Sequence, residues 1–124
     1  MSAFVRKDPR GLLFVMDEDV WLHAAAHHGA FNGSYLLVMK TIAEPDKIID
    51  NPQFKGRQAR TAQERYIRYI ADLKQYLVIP ARISTNEEKV DGYGNVPAGS
   101  RFAVTIHTDP EPENPAVKVW WRKV

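Results

Sequence analysis

The sequence predicts an α+β fold, with two N-terminal helices packed on a three- to four-stranded antiparallel sheet. Three observations predict it. Apolar residues recur three and four apart between Val20 and Ile42, which is helical spacing. From Tyr76 onward they alternate, which is strand spacing. The two patterns are grouped along the chain rather than interleaved, so the helices belong on one face of a meander. The 124 residues, 44% hydrophobic and 26% charged, suffice for one domain over 1–124 with its own core. We divide it into an N-terminal lead-in (1–16), a helical part (17–50), a basic loop (51–63) and the antiparallel sheet (64–124).

The elements follow in order. The run Leu12 to Met16 reads as a short strand or as a lead-in packed on the core. Asp17, Glu18 and Asp19 then supply carboxylates where a helix N-terminus has free N–H groups. That helix runs from about Asp19 to His28 and stops at Gly29. Asn32, Gly33 and Ser34 make a turn, and a second helix follows from Tyr35 to Ala43. Its stripe is Tyr35, Val38, Met39 and Ile42, and Pro45 ends it by pushing Glu44 out of helical conformation. Asp46 to Asp50 reads as a short strand. Glu64–Ile70 reads as a strand rich in Tyr and Ile, although its apolar residues also fit a helix. Ala71–Gln75 is then a turn. In the strand Tyr76–Ile83, Leu77, Ile79, Ala81 and Ile83 share one face, and Pro80 points to an edge position or a bulge. Residues 84–100 read as a long hairpin connection. In Arg101–Thr108, Phe102, Val104 and Ile106 point one way, and Arg101, Ala103, Thr105 and His107 the other. Asp109–Pro115 is a loop, and Val117–Lys123 closes the sheet. There is no internal repeat, which excludes a solenoid.

Composition excludes several function classes. Without cysteine there is no disulfide scaffold, thiolate metal site or cysteine nucleophile. No apolar run approaches the ~18 residues of a membrane span. MSAFVRKDPRG lacks the apolar core of a signal peptide, so the chain reads as soluble and cytoplasmic. The net charge is only +2, but it is unevenly placed: residues 51–82 carry seven cations against two acids, and residues 11–50 two cations against six acids. The basic middle interleaves Arg65 and Arg68 with Tyr66 and Tyr69, a pattern that can follow a phosphate backbone. A solvated face accounts for it as well.

Four histidines are present: His23, His27, His28 and His107. His23 and His27 share a helix face, but three alanines separate them and no third ligand is evident, so no metal or other cofactor is expected. Metal-free cleavage of RNA needs a base for the ribose 2′-OH, an acid for the leaving oxygen and cations for the phosphate. His23 and His107 titrate in the right range, arginine grips phosphate bidentately, and a hydroxyl such as that of Thr105 donates to the phosphoryl group. There is no P-loop, Rossmann glycine fingerprint or G-x-S-x-G.

The order of these pieces resembles a family. Trp21-Leu22-His23 with His28, then Thr41-Ile42-Ala43-Glu44-Pro45-Asp46-Lys47-Ile48, then Glu64-Arg65-Tyr66-Ile67, Tyr76-Leu77-Val78-Ile79 and Val104-Thr105-Ile106-His107 resemble the barnase–EndoU–colicin–RelE-like ribonuclease domains of phages and mobile elements. The likeness spans about residues 19–108 and lies in the order rather than in any one motif. Two departures stand out. His107 takes the place of the family's strand aromatic, and His28-Gly29 that of its His-Pro.

The resemblance implies a metal-independent ribonuclease, a phage or toxin effector acting by 2′-OH transesterification. RNA is then the substrate or ligand, and an inhibitor or immunity protein is a partner of the kind such effectors have. By resemblance His23 is the acid or base, Thr105 the strand threonine and Arg65 or Arg68 the strand cation. We expect His23, Thr105, His107 and Arg68 to be catalytic, and Arg65, Arg82, Lys55, Arg57 and Tyr66 to bind substrate. The alternative is a non-catalytic module binding nucleic acid or protein, suggested by the basic stretch 55–68 and by Trp120 and Trp121. The two differ in whether His23, Thr105 and His107 converge.

Overall fold

A computed structural model describes residues 4–27, 35–51, 62–110 and 117–124. Lys55 and Arg57 lie outside them, as does His28. The chain runs β1 (Phe4–Lys7), β2 (Leu13–Met16), α1 (Glu18–His27), α2 (Tyr35–Ala43), β3 (Lys47–Asp50), β4 (Glu64–Ile70), β5 (Gln75–Ile83), β6 (Glu88–Val90), β7 (Gly94–Val96), β8 (Arg101–Ala103), β9 (His107–Asp109) and β10 (Val119–Arg122).

The expected three- to four-stranded antiparallel sheet is not what forms. A curled, mixed sheet runs in the order β1-β2-β8-β5-β4-β3-β10 as a half-barrel, with β9 paired beside β8 on β5. The fold is mostly sheet, with two short helices. The N-terminal residues supply the difference. They are a hairpin, not a lead-in, and β2 pairs in parallel with β8 through Phe14↔Arg101 and Val15↔Phe102. The hairpin turns where Gly11 adopts φ +82° and donates its N–H to the Asp8 carbonyl at 2.9 Å. Nothing lies within 4 Å of a Cβ built on Gly11. Gly11→Ala should therefore cost about 1–2 kcal/mol through the left-handed backbone alone, measured by urea unfolding.

α1 begins and α2 ends where expected, while the expected stop at Gly29 and the turn at Asn32, Gly33 and Ser34 lie outside the described residues. The Asp17 carbonyl accepts the Trp21 N–H at 3.0 Å, which makes Asp17 the cap of α1. Ala24, Val38 and Ile42 are buried against Phe14, Met16, Ile48, Tyr66, Leu77 and Ile79, so both helices cover one sheet face. The opposite face has two parts. Val90 and Val96 of the β6–β7 hairpin pack on Val15 and Phe102. Toward β10, Ile49, Ile67 and Val78 form a separate cluster with Tyr76 and Val117.

Two bulges change which side chains share a face. The expected strand Arg101–Thr108 is broken. Ala103 pairs with Ala81, yet His107 pairs with Val78, so four steps along one chain match three along the other. The break lies opposite Pro80, which has no N–H to donate and whose carbonyl accepts from Val104 at 2.9 Å. Pro80 thus marks a bulge; β5 itself is central. The expected alternation fails there. Phe102 and Ile106 enter different clusters, and Arg101 and His107 lie on opposite faces. In β10, Val119 pairs with Ile49 and Trp121 with Ile48, which makes Trp120 the extra residue.

Candidate functional site

Strand alternation divides the basic stretch of β4. Tyr66 and Arg68 lie on the helix-covered face, Arg65 and Tyr69 on the other. Arg68 donates to the Glu44 carbonyl just past the C-terminal end of α2, a favourable place for a cation. The Tyr66 ring is wholly buried, and its hydroxyl donates to Asp8 Oδ2 at 2.7 Å. Burial, with Asp8 adding to it, pushes that phenol well above its ordinary range. Tyr66 therefore belongs to the interior of the protein.

Around it is a closed ion network. Arg10 donates to both Glu64 oxygens, at 3.0 and 2.9 Å, and to Asp8 Oδ2 at 2.8 Å. Arg101 donates to Glu64 from the other side at 3.1 Å. Burial would push the Glu64 carboxyl upward, but the bonds from Arg10 and Arg101 outweigh it and hold it below its usual range. Two cations balance two carboxylates, and among the described residues no buried side-chain nitrogen or oxygen lacks a partner. This network locks the β1–β2 turn onto the sheet.

Arg82 is also engaged. It donates to both carboxylate oxygens of Glu88, at 2.8 and 2.9 Å, and stacks over Phe102 at 4.2 Å. It pins the β6–β7 hairpin. A cleft of about 640 Å³ opens beside it, lined by Asp17, Thr85, Glu88 and Val104 among others. Burial pushes the Asp17 carboxyl upward there, against the pull of Arg82.

The remaining expected residues do not assemble as a quartet. His23 is exposed on α1, Arg68 is on the helix-covered face, Thr105 sits in the β8–β9 bulge, and His107 pairs with Val78 on the opposite face. The sheet separates Arg68 from His107.

What does gather is on the His107 side. Arg65 is nearly buried, and its Nε donates to Asn51 Oδ1 at 2.9 Å. Burial lowers its pKa, and Asp109 of β9 opposes that. Along the same face lie Lys47 and Tyr69, with Tyr76 beside Asp109 across the β5–β9 pair. Where β3, β4, β5 and β10 end together, a cleft of about 350 Å³ is lined by Asp46, Lys47, Tyr69, Tyr76, Arg122, Lys123 and Val124. Tyr69 and Tyr76 meet edge to face at 5.1 Å. Burial, then Arg122, lowers the Lys47 pKa, and Asp46 opposes them.

Lys47, Tyr76, Arg122 and Lys123 were not legible as site residues. Only the register of β10 on β3 brings them together, and no local motif announces a register. The signal nearest to hand was Tyr69, already noted among the interleaved aromatics. Among the described residues no group of three His, Asp or Glu is placed to hold a metal ion, and no helix is long and apolar enough to cross a membrane. Comparison with protein-family models, curated proteins and solved structures returns no match.

Proposed function

We propose that this chain binds single-stranded RNA on the β10 half of the sheet face turned away from its helices. One observation carries the reading: Lys47, Arg65, Tyr69, Tyr76, His107 and Arg122 share that half-face in the strand register. Cations meet phosphates there, and tyrosine rings offer bases a stacking surface without choosing among them. A labelled oligoribonucleotide titrated by fluorescence anisotropy tests it. With three phosphate contacts, affinity should fall about 20-fold between about 50 and about 200 mM salt. Binding that ignores salt would overturn it.

Cleavage is the second reading, favoured by His107 standing on the same face as Arg65. His107 would take the 2′-OH proton as the 2′-oxygen bonds to phosphorus, the P–O5′ bond would break with the leaving 5′-oxygen taking its proton from water, and Arg65 would hold the phosphate, with no role for His23 or Arg68. Incubation with RNA in excess EDTA, from about pH 5 to about pH 8, decides between them. Products ending in 2′,3′-cyclic phosphate, lost in His107→Ala but kept in His23→Ala, support cleavage at this face. Intact RNA leaves binding alone.

A further inference from the structure

The curled sheet ends in two edge strands, β1 and β10. β10 is guarded by its bulge, because the extra residue Trp120 interrupts the row of backbone groups a further strand would pair with. β1 has no such break. Its four residues pair with β2 in an unbroken register, and among the described residues no strand lies on its outer side. The bonds from Arg10 to Asp8 and Glu64 hold the turn of this hairpin against the sheet, so the edge is presented in a fixed place.

The register fixes which groups face outward. The Asp8 N–H donates inward, to the Leu12 carbonyl at 2.8 Å, and that pair continues the register of the hairpin. Alternation along an antiparallel pair then turns the backbone groups of Arg6 and Phe4 toward β2 and those of Val5 and Lys7 away from it. The side chains follow the same rhythm. The Phe4 ring meets Tyr35 edge to face at 4.7 Å, and Arg6 Nη2 donates to Met39 Sδ at 3.8 Å, so Phe4 and Arg6 face α2. Between that strand and the helix runs a mainly apolar groove of about 360 Å³, lined by Arg6, Leu36, Met39, Lys40, Ala43 and Glu44. Leu36 is 75% exposed, although α2 buries Val38 and Ile42 on its other side.

The charge here selects the occupant. β1 carries Arg6 and Lys7 and no acid, and the groove adds Lys40 against Glu44. A thioether is a weak acceptor, so the Arg6 guanidinium has a stronger partner in any carboxylate brought alongside. A second copy pairing β1 on β1 would instead bring Arg6 and Lys7 against their own copies.

We infer that β1 takes up an extended acidic segment of a partner protein as an added antiparallel strand, bonded through the backbone of Val5 and Lys7. Residues opposite each other in a strand pair face the same way. The segment's residue opposite Arg6 is then Asp or Glu, in the groove that Arg6 and Lys40 line. The residue two further on lies opposite Phe4 and is apolar, covering Leu36. The expected pattern is acid-x-apolar. This groove is at the other end of the sheet from β10, so the inference is independent of the RNA-binding reading.

Random linear peptides displayed on phage and panned against the full chain supply the probes. Enriched peptides, synthesised and labelled, give Kd by fluorescence anisotropy. They should share Asp or Glu two positions before an apolar residue. Arg6→Glu and Leu36→Glu, both at exposed positions, should each weaken binding about tenfold. Lys7→Pro removes an outward N–H and should weaken it about fivefold. It takes no bond from the ladder to β2, so its Tm should stay close to the parent's. Lys7→Gln keeps the N–H and should lose less.

Panning that enriches nothing, or enriches peptides without the acid, overturns the proposal. Equal affinity for Lys7→Pro and Lys7→Gln, with the fold intact by circular dichroism, overturns the added strand. Should Lys7→Pro fail to fold, unchanged affinity in Arg6→Glu and Leu36→Glu overturns the groove just as firmly, and the expected losses there sustain it. A chain that sediments as a dimer, and as a monomer once Lys7 is proline, gives the edge to a second copy and overturns the acidic partner.

Discussion

Arg10→Ala should cost this fold about 3–5 kcal/mol in a urea unfolding titration. The substitution removes the guanidinium that joins Asp8 to Glu64 and leaves both carboxylates, 4% and 2% exposed, facing each other's charge, Glu64 with Arg101 and Asp8 with the Tyr66 hydroxyl and the backbone N–H groups of residues 10 and 12. Much of the loss comes from those stranded charges rather than from the bonds themselves. Arg10→Ala combined with Glu64→Gln should therefore recover part of it. The same network sets the acid response. Glu64 has a lowered pKa in the folded chain, so its contribution is complete above the ordinary glutamate pKa of about 4.3 and is lost as pH falls through the folded value. Glu64→Gln should start less stable at neutral pH and lose less on acidification. If Arg10→Ala costs under about 1 kcal/mol, the network is not closed in solution as described.

Phe14→Ala should cost about 3–5 kcal/mol. Phe14 is wholly buried in the main core, on the strand that pairs with β8, and its ring meets Tyr66 edge to face at 4.8 Å. Truncation opens a cavity beneath the network as well as removing apolar area. A double-mutant cycle with Tyr66→Leu should return a coupling of about 0.5–1.5 kcal/mol for the ring pair. A loss near zero would return the N-terminal residues to the role of a lead-in, one of the two readings, with a short strand, that the sequence had suggested for them.

That suggestion shows where sequence reading reaches and where it stops. The helices were legible because their evidence is local: acids before α1, helical apolar spacing in both, and Pro45 after α2. β5 was legible because Leu77, Ile79 and Ala81 alternate onto one face, and they all enter the core. β3 and β4 fell where expected, with the helical alternative for residues 64–70 set aside by their pairing to both neighbours. The parallel union of β2 with β8 was not legible, because it joins segments more than eighty residues apart and leaves no pattern in either. The bulges at Val104–Ile106 and Trp120 each add one residue, and one residue turns every later side chain to the other face. So His107 was expected beside Arg101 and stands across the sheet from it. The candidate site suffered most from this. Its expected members were chosen by residue type, while the cleft is assembled by register.

The β2–β8 pairing also has a consequence for the chain as it is made. Leu13–Met16 leaves the ribosome long before Arg101–Ala103 exists, by several seconds at about 5–20 residues per second. Through that interval Phe14, Val15 and Met16 lack the strand that flanks them in the finished sheet. The two helices and the β3–β4–β5 meander can form from nearby segments, while the half-barrel waits on its most distant seam. Assembly should then proceed from the middle of the chain outward, with the N-terminal hairpin docking late and its apolar strand open to chaperones or to a second nascent chain until it does.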